Sequence, residues 1–216
     1  MSQSKIGILG SGEVAQALGR GFIKYGHDVK LGAREANNEK TTKWAKESGA
    51  HASAGTFADA AAFGEIVFLC TLWTGTENAL KLAGASNLAG KVLVDVTNPL
   101  DFSKGKPALA IGHTDSGGEQ VQRWVPGAKV VKAFNSVGNA HMVNPDFPNG
   151  PPDMFIAGND EGAKATIADI CKKFGWGVVD TGGIEASRLL EPLCILWVDY
   201  GMRNKTWNHA FKLVRK

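Results

Sequence analysis

The chain has 216 residues, 44% of them apolar, and a formal net charge of only +3. That length buries one good core and leaves no room for a large separate substrate domain. The basic residues are scattered apart from the tail over 205–216, which excludes the concentrated field that polynucleotide binding needs.

Residues 1–5 lead directly into the first apolar run, leaving no space for a signal peptide, and no apolar run reaches membrane-span length. A cytoplasmic protein without membrane insertion is expected. Short runs rich in β-branched residues recur at 6–9, 28–31, 66–71, 92–97, 129–134, 154–157 and 178–180, with a poorer candidate strand at 51–53. Helical patterns fall between them at 13–25, 38–47, 56–62, 76–82, 117–124 and 162–174. Such alternation predicts β-α units on a parallel sheet. Ser116-Gly117-Gly118-Glu119 reads as a capping box, and Asn159-Asp160 precede the last of those helical patterns. The stretches 101–116 and 143–152 read as loops. From near Ile184 a further helix begins, apolar almost all round through Leu189, Leu190, Leu193, Cys194, Ile195, Leu196, Trp197 and Val198. It is expected to be buried in the core or against a second subunit, with Pro192 kinking or breaking it. Cys70, Cys171 and Cys194 lie far apart in apolar runs, neither metal-ligand nor disulfide spacing, so reduced buried thiols and no metal are expected.

The first β-α turn reads Gly10-Ser11-Gly12-Glu13-Val14-Ala15. Following an apolar strand and opening an amphipathic helix, this is the context of a dinucleotide-binding turn. Gly10 permits the tight turn, Gly12 lets backbone N–H groups approach a diphosphate, and Ala15 allows close helix-strand packing. About 20 residues on, an NAD site places an acidic residue at the end of the second strand. This chain has Ala33-Arg34 there, followed by Glu35. A guanidinium pairs with a 2′-phosphate, so Arg34 favours NADP over NAD, Lys40 being a surface lysine or a second charge nearby.

Ligands of open α/β sheets lie beyond the carboxyl ends of the strands, which here are followed by Thr71-Leu72-Trp73, Asn98-Pro99 and Asn135-Ser136. Trp73 is either a stacking wall for the nicotinamide or a packed loop aromatic. Asn98 either bridges cofactor and loop or starts a turn, and Asn135 either contacts the nicotinamide side or caps loop backbone. His141 is a conceivable proton donor, though a lone loop histidine is more often structural. Hydride transfer between two flat heterocycles needs positioning and water exclusion more than acid-base groups, so no catalytic pair is required.

The segments Gly10-Ser11-Gly12-Glu13-Val14-Ala15, Gly32-Ala33-Arg34, Gly90 through Pro99 with its Asp95-Val96-Thr97-Asn98-Pro99, and Val131-Lys132-Ala133-Phe134-Asn135 together resemble the F420-dependent NADP reductase family. They also resemble the cytosolic NADPH-oxidising domain of the six-transmembrane ferric reductases. The resemblance implies a Rossmann-like, doubly wound, mostly parallel α/β sheet with a C-terminal helical segment. It implies one NADP-binding domain over 1–216, with a dinucleotide unit over 1–135 and an extension over 136–216 that carries two strands and a helix. NADP(H) would be held by residues matching Ser11, Gly12, Glu13, Val14 and Arg34, with Trp73, Asn98 and Asn135 on the nicotinamide side, in a homodimer. The second substrate would be F420, a flavin such as FMN or FAD, or a quinone. Where the family carries serine or threonine beside the arginine this chain has Ala33, removing one phosphate hydrogen bond. Where the archaeal deazaflavin enzymes carry histidine it has Asn135, as the ferric-reductase domains do.

Short-chain dehydrogenases are excluded, because Tyr25 and Tyr200 are followed four residues on by Val29 and Asn204 rather than lysine. The other class still open is a regulatory module that binds NADP without turnover.

Overall fold

The computed structural model describes residues 3–216; Met1 and Ser2, on which part of the no-leader expectation rests, lie outside them. The elements in chain order are β1 (Lys5–Leu9), α1 (Glu13–Lys24), β2 (Asp28–Ala33), α2 (Glu39–Ser48), β3 (Ala52–Thr56), α3 (Phe57–Phe63), β4 (Ile66–Leu69), α4 (Trp73–Ala83), α5 (Ala85–Leu88) and β5 (Val92–Asp95). There follow β6 (Leu100–Asp101), β7 (Ala108–Leu109), α6 (Gly117–Trp124), β8 (Lys129–Lys132), β9 (Asp153–Gly158), α7 (Glu161–Lys173), β10 (Gly177–Asp180) and α8 (Ser187–Asn204).

Eight strands form one sheet in the order β3-β2-β1-β4-β5-β8-β9-β10. The first six are parallel throughout, the doubly wound dinucleotide-binding arrangement, and the order reverses between β1 and β4. β9 runs antiparallel to β8, and β10 returns parallel to β9. Because Lys132 pairs with Ala157, the opening residues of β9 overhang the end of β8, where the Phe134 N–H meets Met154 Sδ at 3.1 Å.

The two-residue alternation of a strand sends its side chains into separate cores. Ile6, Ile8, Phe68 and Val94 face α1, α2 and α7, where Phe22 packs on Phe68 and Phe174 with ring centroids 5.0 and 4.9 Å apart. Leu9, Val67, Leu69, Leu93 and Val130 face the opposite way, against Ala60, Leu80, Leu88 and Val121 of α3 to α6. Both faces are thus covered, as a parallel sheet requires.

Several expectations need correction. The stretch at 51–53 is no fragment: β3 is a regular five-residue strand paired in register with β2. Its small residues admit α3, since a Cβ on Gly55 would lie 2.8 Å from the Asp59 Cβ. The apolar runs at 66–71, 92–97 and 129–134 stop being strand at Leu69, Asp95 and Lys132, where each chain leaves the sheet edge. The stretch 101–116 includes a small hairpin in which Leu100 pairs with Leu109 and Asp101 with Ala108. Ser116 does cap α6 through Glu119 N, but the Glu119 carboxylate turns to Ser116 Oγ and Arg188 instead of back to the cap backbone. The reciprocal box is at Thr56 and Asp59, opening α3. A 3-10 turn at Ile184–Ala186 precedes α8, which passes unbroken through an exposed Pro192. Nor is α8 buried all round, for Leu189 is 70% and Leu196 55% exposed. No helix among the described residues is long and apolar enough to cross a membrane.

Candidate functional site: an open helix end and an aromatic cleft

Gly10 turns the chain out of β1 with φ 151°, a region side chains avoid, and donates its N–H to Gly32 O at 2.9 Å. A Cβ there would sit 2.5 Å from Cys70 O, so the ends of β1, β2 and β4 converge on this residue. Gly12 is exposed, and a Cβ on it would touch nothing within 4 Å. The space above it is open, and the protein itself does not require glycine there.

Helix amino ends carry unpaired N–H groups, which side chains ordinarily satisfy. Along the carboxyl edge of the sheet, α2 is capped by Asn38, α3 by Thr56 and α6 by Ser116. α1, behind Gly12, and α4, behind Leu72, have no side-chain cap; α5 and α8 have none either, but neither follows directly on one of the six parallel strands. α1 and α4 follow β1 and β4, the strands flanking the reversal of order. An anion bridging that crevice would meet free N–H groups from both sides and the positive ends of both helices. Ser11 is half-buried in this turn, while Glu13 is exposed on the first turn of α1. Arg34 leaves the end of β2 exposed, with no hydrogen-bond or ion-pair partner among the described residues. Ala33 before it is buried; Glu35 and Lys40 are exposed.

Thr71 and Thr76 share a hydrogen bond of 2.9 Å across the start of α4, and Leu72 is 85% exposed. Trp73 belongs to the first turn of α4 rather than to a loop, and stacks on Trp124 with centroids 5.4 Å apart. Thr71, Leu72 and Trp73 stand around the open α4 end. Val14, Asn98 and Asn135 are instead brought together in a separate cleft of about 450 Å³, shared with Phe134, Cys194 and Trp197.

The two asparagines hold each other. Asn98 Nδ2 donates to Asn135 O at 2.8 Å, and Asn135 Nδ2 donates to Asn98 Oδ1 at 3.0 Å and to Leu190 O at 2.8 Å. Phe134, fully buried, has φ 60°, a conformation that costs a bulky residue on the order of 1–3 kcal/mol. That left-handed residue turns Asn135 off the strand and into the cleft.

Behind the pair lies a cluster that the sequence did not announce. Lys132 Nζ, fully buried, donates to Asp95 Oδ2 at 2.9 Å, Thr97 O at 2.7 Å and Glu191 Oε1 at 2.8 Å, which exhausts its three donors. Asp95 Oδ1 also takes the Thr97 N–H and hydroxyl, while Glu191 takes the N–H groups of Gly117 and Gly118 at 3.0 Å each. Burial would pull the Lys132 ammonium down, but Asp95 and Glu191 more than reverse this and hold it above its usual value. The cluster thereby fixes Thr97, next to Asn98, and Glu191, next to the Leu190 carbonyl that Asn135 grips. Asp95 and Lys132 are register partners on adjacent strands, but Glu191 arrives from α8, and only the fold joins them.

Cys171 and Cys194 are buried free thiols and Cys70 is half-buried. Burial pushes Cys194 up to about 12 against the pull of Lys132. His141 stands outside this cleft, its Nε2 3.0 Å from Asn208 Oδ1 and its ring on Phe147.

A doubly wound sheet, a glycine turn and two open helix ends at its reversal define a Rossmann dinucleotide-binding protein. The family described as NADP oxidoreductase coenzyme F420-dependent matches residues 5–99. An F420-dependent NADP reductase of Methanocaldococcus jannaschii is 32% identical over 152 residues, covering 68% of this chain and 67% of the relative. The crystal structure of an Arthrobacter sp. FB24 protein assigned as an F420-dependent NADP-reductase superposes with a TM-score of 0.92 at 39% identity, over 98% of this chain and 100% of that one. The metalloreductase STEAP3 of Rattus norvegicus is 30% identical over 190 residues; the chain spans 36% of that relative's length and 88% of its own is matched. This chain belongs to the F420-dependent NADP oxidoreductase family.

Proposed function

We propose that the chain binds NADP(H) across the β1/β4 reversal and serves hydride transfer with a flat, flavin-like acceptor: F420, FMN, FAD or a quinone. The observation that carries this is the pair of uncapped helix ends, α1 and α4, in a protein whose neighbouring helices on that edge are closed by Asn38, Thr56 and Ser116. First-turn N–H groups from Glu13 and Val14 would take the diphosphate beside Ser11 and Gly12. Arg34, unpaired in solvent, would take the 2′-phosphate. NADP(H), when bound, supplies the hydride chemistry. Val14, Phe134 and Trp197 would keep water from the reacting side, and the Asn98–Asn135 pair, its hydrogen bonds largely spent on itself and on Leu190 O, would form a fixed polar wall there. No side chain needs to change protonation for the transfer itself. A cytoplasmic placement accords with three free thiols, and a homodimer accords with the exposed Leu189, Leu196 and Tyr200 of α8.

The test is an acceptor screen following loss of the NADPH near-ultraviolet band with F420, FMN, FAD and menadione, with NADH as control. Oxidation of NADPH with at least one of these acceptors, and much slower oxidation of NADH, is the expected result. Binding of NADPH without turnover by any acceptor would replace this reading with that of a nucleotide sensor.

A further inference from the structure

After α8 the chain does not trail into solvent. Lys205 adopts φ 50° and ends the helix, and the Thr206 N–H returns to Gly201 O at 3.1 Å. The segment 206–213 then folds back onto the body of the protein, where Trp207 and Asn208 continue a wall of the 450 Å³ cleft begun by Trp197 and Val198. Its attachment is specific along its whole course. Trp197 Nε1 donates to His209 O at 2.9 Å, and His209 Nε2 donates to Trp197 O at 2.9 Å, with the two rings stacked 4.7 Å apart. Asn208 Oδ1 meets His141 Nε2 at 3.0 Å. The Asp153 N–H donates to Phe211 O at 2.9 Å, and the Leu213 N–H to Asp153 Oδ2 at 2.7 Å.

Trp207 is held in this frame by contact with Trp197, centroids 5.2 Å apart, yet stays 49% exposed. Its seat is cut for it: a Cβ on Gly201 would lie 2.5 Å from the Trp207 ring. A buried tryptophan needs no such approach to cover a core; an aromatic face left half-open on a cleft is free to stack. The opposite side of the same cleft offers the asparagine pair and Val14, at the open end of α1.

We infer that the folded-back segment is the specificity wall of the acceptor site, with Trp207 as the platform on which a planar heterocycle of the acceptor stacks. This rests on the proposed hydride transfer and names the part of the chain that selects its second substrate. The geometry favours a planar, polar-edged ring system small enough to share the cleft, over an aliphatic or carbonyl acceptor.

The test uses the full chain and three variants, Trp207→Ala, Trp207→Phe and Gly201→Ala, with circular dichroism to confirm folding. Riboflavin, FMN and F420 are titrated calorimetrically without nucleotide, and the tightest binder is carried into steady-state assays. Trp207→Ala should raise both the dissociation constant and the KM for that probe about tenfold, equivalent to about 1.4 kcal/mol. The NADPH dissociation constant should be unchanged, and Trp207→Phe should recover most of the loss. Gly201→Ala, which adds a methyl under the ring without removing it and favours the helix, should weaken the probe in the same sense. If Trp207→Ala and Gly201→Ala both leave probe binding and KM unaltered while NADPH is still oxidised, the wall is refuted and the hydride-transfer reading survives. If no probe binds the wild-type chain, the inference falls. If NADPH itself does not bind, the proposed function falls with it.

Discussion

Replacing Lys132 by methionine would test the buried cluster most severely. The ammonium donates three charge-assisted hydrogen bonds of 2.7–2.9 Å with no exposure at all. Summed singly at about 1.5–3 kcal/mol each, these suggest a loss of up to about 9 kcal/mol. That sum is too large, because removing the ammonium also removes its own cost of leaving water. What persists in the variant is Asp95 and Glu191, both buried, facing a thioether in place of a cation. Breaking a buried pair in this way costs about 3–5 kcal/mol. For a chain of this size each kcal/mol lowers Tm by roughly 2–4 °C, so Lys132→Met should melt about 6–20 °C lower. Urea titration followed by circular dichroism and by tryptophan fluorescence measures the loss. A difference below about 1 kcal/mol, with the fold intact, would show that the cluster is not the desolvated network described.

Arg34→Glu should raise the KM for NADPH about tenfold to a hundredfold and leave that for NADH nearly unchanged, as charge-assisted contacts to a 2′-phosphate require. Gly12→Ala adds a methyl where the protein has open space, at φ −80°, so stability should change by less than about 1 kcal/mol. NADPH binding by calorimetry should nevertheless weaken about tenfold or more, since the methyl occupies the path of the diphosphate. Lys164 is almost wholly buried and pairs with Asp180 and Glu161 at 2.9 Å each; its hydrogen bonds to Asp180 and then Glu161 raise its pKa. A raised folded value means this stabilisation is complete below the unfolded lysine value of 10.5 and lost as pH rises through the folded one. The Tm gap between wild type and Lys164→Met should therefore be constant near neutrality and close above about pH 10.5.

The strands and helices that obey a simple period were legible: Ile6 and Ile8 alternate with Gly7 and Leu9, and Ala15, Leu18 and Phe22 repeat along α1. β3 is barely legible, because Ala-Ser-Ala-Gly-Thr lacks β-branched bulk; its identity comes from register against β2 and from the closeness of α3. The glycine turn and Arg34 were readable because local chain order alone places them at one crevice. The role of Lys132 is not legible in the sequence, since a lysine in a strand reads as solvated until Asp95 pairs beside it and Glu191 descends on it. Trp207 lies in a tail whose sequence shows only its charge; the hydrogen bonds that give it a place, to Gly201, Trp197 and Asp153, are made by backbone and by the distant Asp153.

The reversal of direction between β8 and β9 has an architectural effect out of proportion to its size. A parallel successor would demand that the chain recross the sheet and begin again at the far edge. Running the other way, β9 starts on the ligand-facing rim, so the connection from Phe134 to Asp153 leaves and regains that rim after packing along α1 at Gly21 and Tyr25, and Asp153 becomes a mooring for residues 211–213. Insertions near Trp207 would reshape the rim without disturbing the six parallel strands beneath. The frame for the nucleotide and the fittings for its partner can thus vary independently.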